Sequence, residues 1–141
     1  MIAFARITQK VYLRIPDLEL ETVLKTLGQP DRFLFISGCG MGSRVHAKLF
    51  YSDRGVEIII DYSTRWPTTQ VLGNGTPISS IEYFSPTEID SHVVESIRRD
   101  IIDSVAYDLL PSITEDDFLD QIRAWPGMDA ELGPTADFCP R

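Results

Sequence analysis

RVHAKLFYSDRGVEIIIDY, residues 44–62, is the densest β-forming run in the chain. Val45, Ala47, Leu49 and Tyr51 alternate with Arg44, His46, Lys48 and Phe50. A period of two marks a strand with one face more buried than the other. Ser52, Asp53, Arg54 and Gly55 follow, residues that bond their own backbone or accept positive φ, and so form a turn. Val56 then opens a second strand containing three adjacent isoleucines, Ile58, Ile59 and Ile60. Such a run is apolar on both faces. It predicts a central strand covered by a helix on one side and partly covered on the other. The run is short, β-branched and closed by Asp61, Tyr62, Ser63 and Thr64, which disfavours a helix.

Upstream, residues 2–15 read as extended, with Val11, Leu13 and Ile15 alternating until Pro16 stops the ladder. A short helix is predicted over 18–27, with Asp17 as its N-cap. Leu20, Val23, Leu24 and Leu27 form one apolar stripe at helical spacing. Glu19 and Glu21 suit the positive end of the helix dipole and Lys25 the negative end. Gly28 and Pro30 terminate the helix. Residues 32–37, RFLFIS, read as a strand. The glycine-rich stretch 38–43, GCGMGS, leads into another strand rather than a helix. It is therefore a hairpin loop and not a phosphate-binding loop, which needs a helix N-terminus behind it.

Downstream, residues 63–77 form a long connection with Trp66, an edge strand at 68–72 and a turn at Gly73, Asn74 and Gly75. Residues 78–84 read as a further strand. Ile89, Val93, Ile97, Ile101, Val105 and Leu109 recur every fourth residue and predict a long helix over 88–110. At 1.5 Å per residue it would extend about 35 Å, enough to cover a sheet face. Thr114, with Asp117 three residues on, caps a second C-terminal helix predicted over 115–125. Its apolar face would carry Phe118, Leu119, Ile122 and Trp125. Residues 128–141 show no periodicity. The fold class is thus α+β. A mostly antiparallel sheet of four or five strands, a short N-terminal helix and a long C-terminal helix on one sheet face make one domain, 1–141.

Composition limits the function classes. Twenty-one acidic against 13 basic residues give a net charge of −8. That surface repels nucleic acid and anionic membranes, whose binding rests on Lys and Arg. A protein partner, a basic one included, is compatible. No apolar run approaches the 18 residues or so of a membrane span, so no transmembrane segment is expected. Residues 1–15 lack the basic and apolar regions of a signal peptide.

Candidate chemistry is sparse. Cys39, in the glycine-rich loop, and Cys139, near the C-terminus, allow one disulfide or two reduced thiols, and the compartment decides. If paired, they close a loop worth about 4–5 kcal/mol in the chain-entropy model. A metal site needs three or four converging ligands. His46, His92 and the two cysteines show no such spacing, so neither metal nor cofactor is expected. Cys39 and His46 flank the same hairpin entrance, which keeps open a nucleophile and base at that place. Glu57, Glu82, Asp53 and Asp61 can supply paired carboxylates, although exposed strand and turn positions account for them equally. The acidic residues Glu115, Asp116 and Asp117 complement a helix dipole. Trp66 is the candidate interaction residue.

One wider pattern carries a functional implication. A short helix ends in Leu27-Gly28-Gln29-Pro30. A strand follows, then Leu49-Phe50-Tyr51, the turn at Gly55, an aliphatic strand over 56–60 and a last strand over 78–81. Over residues 20–81 this order resembles the small outer-membrane lipoproteins of the BamE/SmpA type. It is also similar to the final domain of larger secreted lipoproteins built on that unit. The lipobox cysteine is absent, and the long C-terminal helix lies outside the family pattern. The resemblance implies an assembly or interaction module without catalysis, at an extracytoplasmic site, and transfers no site residues. Two other expectations stand beside it. One is a small acidic cytosolic inhibitor or immunity-type protein capping a basic partner. The other is a small enzyme near Cys39 and His46, with a pocket lined by His46, Glu57 and Tyr51.

Overall fold

The computed structural model describes residues 18–37, 45–62, 72–102 and 114–132. Four strands, β1 (Arg32–Ser37), β2 (Val45–Tyr51), β3 (Val56–Tyr62) and β4 (Ser80–Tyr83), form a sheet in the order β1-β2-β3-β4. Every neighbouring pair is antiparallel. The helices are α1 (Leu20–Leu27), α2 (Ile89–Ile102) and α3 (Glu115–Leu119). The chain is therefore α+β with a four-stranded antiparallel sheet among the described residues. No helix among them is long and apolar enough to cross a membrane.

The central hairpin forms as its residue types require. Ser52–Arg54 make a single 3-10 turn, and Gly55 follows with φ +62°. Glycine is needed there for two reasons. Positive φ costs a side-chain-bearing residue energy, and a Cβ would lie 2.0 Å from the carbonyl oxygen of Phe84. That closeness follows from the hydrogen bond of Phe84 N–H to Gly55 O, 2.8 Å, which extends the β3–β4 ladder.

The period of two divides the sheet into two buried faces. Phe33, Phe35, Ala47, Leu49, Tyr51, Val56, Ile58, Ile60 and Ile81 share one cluster with Leu20 and Val23 of α1, Leu72 and Leu132. Leu34, Ile36 and Phe50 share the other with Val93, Val94 and Ile97 of α2 and Phe118 of α3. The adjacent isoleucines thus reflect a strand with cover on both sides, as expected of a central strand.

Several boundaries differ from the sequence reading. Helix α1 starts at Leu20 with Glu19 as N-cap and no side-chain cap, while Asp17 lies outside the described residues. Its first N–H groups are satisfied by backbone instead. Leu20 N–H donates to Thr76 O at 2.8 Å, and Glu21 N–H to Asn74 O at 3.1 Å. The turn at 73–76 serves as the cap, and Glu19 pairs with Pro77 in an isolated bridge. The expected strand at 2–15 and residues 68–71 of the expected edge strand lie outside the described residues, as do residues 103–110 of the long helix.

The expected helix over 115–125 ends at Leu119. Its start is as predicted: Thr114 and Asp117 form a reciprocal capping box. Past Leu119 a stronger demand wins. Phe33 N–H donates to Arg123 O and Arg123 N–H to Phe33 O, each at 2.8 Å. The segment leaves the helix to pair with the outer edge of β1, the standard way to cover a strand edge. It also crosses from one sheet face to the other. Phe118 belongs to the α2 cluster, whereas Trp125 packs against the α1 cluster, edge-on to Phe33 at 5.6 Å.

Candidate functional site

Strand parity and register assemble the one charged interior of the described residues. Lys48 of β2, Glu57 of β3 and Glu82 of β4 all point to the α2 side. Glu57 and Glu82 are direct cross-strand partners. On α2, His92, Ser96 and Arg99 fall at i, i+4 and i+7, a single helical stripe. The neighbouring stripe, Val93, Val94 and Ile97, packs on Leu34, Ile36 and Phe50. The helix thus lays apolar side chains over β1 and β2 and polar ones over β3 and β4.

The group is buried. Lys48 is 2% exposed, Glu57 0%, Glu82 2% and Ser96 1%. Charges at that depth must be paired and hydrogen-bonded. The Lys48 ammonium donates to Ser96 Oγ, and Ser96 Oγ donates to Glu57 Oε1 at 3.0 Å. Arg99 holds Glu82 with two parallel bonds, Nη1 to Oε1 at 2.9 Å and Nη2 to Oε2 at 3.0 Å. This fork geometry is the strong form of an ion pair. Burial pushes the Glu82 carboxyl up. The bonds from Arg99 and the nearby charges of Arg99 and His92 outweigh that and hold it at about 2.

His92 stands over both carboxylates. Its Nε2 lies 3.6 Å from Glu57 Oε1 and 3.8 Å from Glu82 Oε2, too far for hydrogen bonds. The ring is fixed by stacking on Phe84, with centroids 4.2 Å apart and planes 14° apart. Glu57 Oε2 and His92 Nε2 are both buried without a hydrogen-bond partner. One ligand atom from each of Glu57, Glu82 and His92 lies within 4.8 Å of the others, the spacing of a cation site.

The sequence reading located these residues only in part. Glu57 and Glu82 read equally as paired carboxylates or as exposed strand positions; they are cross-strand partners, and both are buried because α2 covers the face they occupy. The proposed pocket of His46, Glu57 and Tyr51 does not form. Tyr51 has the opposite parity and lies on the α1 face, where its hydroxyl donates to Gly28 O at 2.9 Å. Burial there lifts the phenol to about 12, against the lowering effect of Arg54. His46 does share the α2 side, with Nδ1 2.7 Å from Oδ1 of its cross-strand partner Asp61. Asp53 sits exposed in the hairpin turn. Asp117 is held below the usual carboxylate range by the backbone and hydroxyl of Thr114. Cys39, Cys139 and Trp66 lie outside the described residues.

Lys48, Ser96 and Arg99 were not singled out from sequence. Each had a signal. Lys48 interrupts the apolar residues of β2 and Glu57 those of β3, and Ser96 and Arg99 fall in register with His92.

No protein-family model matches this chain, and neither a curated protein nor a solved structure does.

Proposed function

We propose that this chain is a non-enzymatic binding or structural module that acts on a protein partner outside the cytoplasm. One observation carries the reading. The groups best suited to acid–base chemistry, Glu57, Glu82 and Lys48, are buried between the sheet and α2 and bonded to the protein's own side chains. A general acid or base must reach a substrate proton within about 3 Å. Here the same groups fasten a helix to a sheet. The BamE/SmpA-type resemblance belongs to this proposal. It is supported by the order of α1, β1, β2, β3 and β4 across residues 20–83.

The proposal extends to two finer features. Helix α2 continues to residue 110 as the cover of its sheet face, and Cys39 pairs with Cys139. A thiol count on denatured, unreduced protein tests the pairing, and two free thiols would overturn it. The function is tested by affinity capture from the native host's lysate and membrane fraction, with Glu57→Gln beside the wild type. Retention of the same extracytoplasmic protein by both supports the module. Failure of the wild type to retain any partner overturns it.

A further inference from the structure

We infer that Glu57, Glu82 and His92 form a binding site for a divalent transition-metal ion, which ties α2 to β3 and β4. The inference begins with two unsatisfied atoms. Glu57 is fully buried, and His92 Nε2 stands 3.6 Å from its Oε1. Its Oε1 takes a hydroxyl hydrogen bond from Ser96, and its Oε2 takes none. His92 Nε2 is likewise buried and without a donor or acceptor. A buried carboxylate and a buried imidazole nitrogen that face each other without bonding are placed to share a cation between them.

The geometry suits a metal better than a hydrogen bond. With ligand bonds near 2.0–2.1 Å, the edge of a tetrahedral site is about 3.3 Å. His92 Nε2 lies 3.6 Å from Glu57 Oε1 and 3.8 Å from Glu82 Oε2. A closure of a few tenths of an ångström reaches coordination. One imidazole and two carboxylates suit zinc, iron or manganese rather than calcium or magnesium, which favour all-oxygen shells.

Arg99 does not block the site. Each carboxylate oxygen has a second lone pair, so Glu82 can face the ion while Arg99 holds it from behind. Such outer partners are the rule for metal-bound carboxylates. Ser96, itself held by Lys48, orients Glu57 in the same way. Access is from the side where His92 and Arg99 meet solvent, with side chains 14% and 28% exposed.

The test uses the full chain stripped of metal by a chelator. Titration with Zn²⁺ in a calorimeter should show one ion per chain and raise Tm by on the order of 5–10 °C at saturating metal. Co²⁺ should give visible ligand-field bands without thiolate charge-transfer absorption. His92→Gln and Glu57→Gln should each lower the affinity at least tenfold, which their circular dichroism must accompany with a native fold. Should Glu57→Gln fail to fold, His92→Gln and the wild-type cobalt spectrum still decide. No heat and no Tm shift with Zn²⁺, Co²⁺ or Mn²⁺ would overturn the site. So would a thiolate band, or undiminished binding in the folded variants, either of which places the metal at cysteine or at His46.

Discussion

The two faces of the sheet are built from alternate residues of the same strands, yet they close by different physics. On the α1 face the contacts are apolar almost throughout: Phe35, Leu49, Ile58 and Ile60 meet Leu20 and Val23. On the α2 face, Leu34, Ile36 and Phe50 supply the apolar contact for half the helix, and Lys48, Glu57 and Glu82 replace it over the other half. Apolar burial is non-directional and scales with area. A buried ionic group is directional, and it stabilises only while all its members are present. The α1 face should therefore be most sensitive to lost volume, and the polar half of the α2 face to the loss of any one charged partner.

The largest effect should come from volume on the α1 face. Phe35→Ala deletes a ring that is 1% exposed at the centre of that cluster and should cost about 3–5 kcal/mol. Urea unfolding followed by circular dichroism measures it. A loss under about 1 kcal/mol would show that this face is not the main core. On the α2 face, Arg99→Met leaves Glu82 buried with its fork partner gone. The expected cost is about 3 kcal/mol, the lower end for a broken buried pair, because Arg99 is 28% exposed and partly screened by solvent. Replacing Lys48, Glu57, Glu82 and Arg99 together by Met or Leu should restore stability to near that of the wild type. If the quadruple variant is less stable than Arg99→Met alone, the contrast between the faces fails.

Acid separates the faces next. Glu82 has its carboxyl lowered from 4.5 to about 2 in the folded chain. The folded state therefore gains from the ionised form. That gain is complete above pH 4.5 and is lost as pH falls from 4.5 through about 2. Its size is roughly 3 kcal/mol. Denaturant midpoints between pH 5 and pH 2 should fall steeply for the wild type and much less for Arg99→Met, in which the carboxyl is no longer held down. Equal slopes would remove Glu82 as the cause.

The α1 face and the hairpin were legible in the sequence because periodicity reports burial. Val45, Ala47 and Leu49 alternate, the turn at Gly55 has turn residues, and the strand boundaries follow. The α2 face was less legible, since a charge in a strand reads the same whether solvent or a helix lies above it. Glu57 and Glu82 accordingly read equally well as paired carboxylates or as exposed strand positions. Only the cross-strand register, which puts them side by side, together with the seating of His92, Ser96 and Arg99 above them, distinguishes the cases. The bend after Leu119 was not legible for a related reason. Phe118, Leu119, Ile122 and Trp125 fit one helical stripe, but the open edge of β1 that draws Arg123 away is a tertiary demand. Residues of the candidate site were thus each visible singly, and their convergence was not.

The smallest effect at neutral pH, and the one that probes the α1 face by charge, concerns Tyr51. Its hydroxyl donates to Gly28 O, the carbonyl just past the end of α1. Tyr51→Phe at pH 7 should cost about 1 kcal/mol, the net value of one hydrogen bond, because Gly28 is exposed and its carbonyl can turn to water. The difference widens in alkali with the opposite sign. The folded phenol is raised from 10.0 to about 12, so the folded state prefers it protonated. That preference is complete below pH 10 and is lost as pH rises through 12, at a cost of roughly 2–3 kcal/mol. Wild type and Tyr51→Phe should therefore converge and then cross between pH 10 and pH 12, with the phenylalanine variant the more stable above the crossing. Parallel alkaline curves for the two proteins would show that the phenol is solvated in the folded chain and that the α1 face is open at that end.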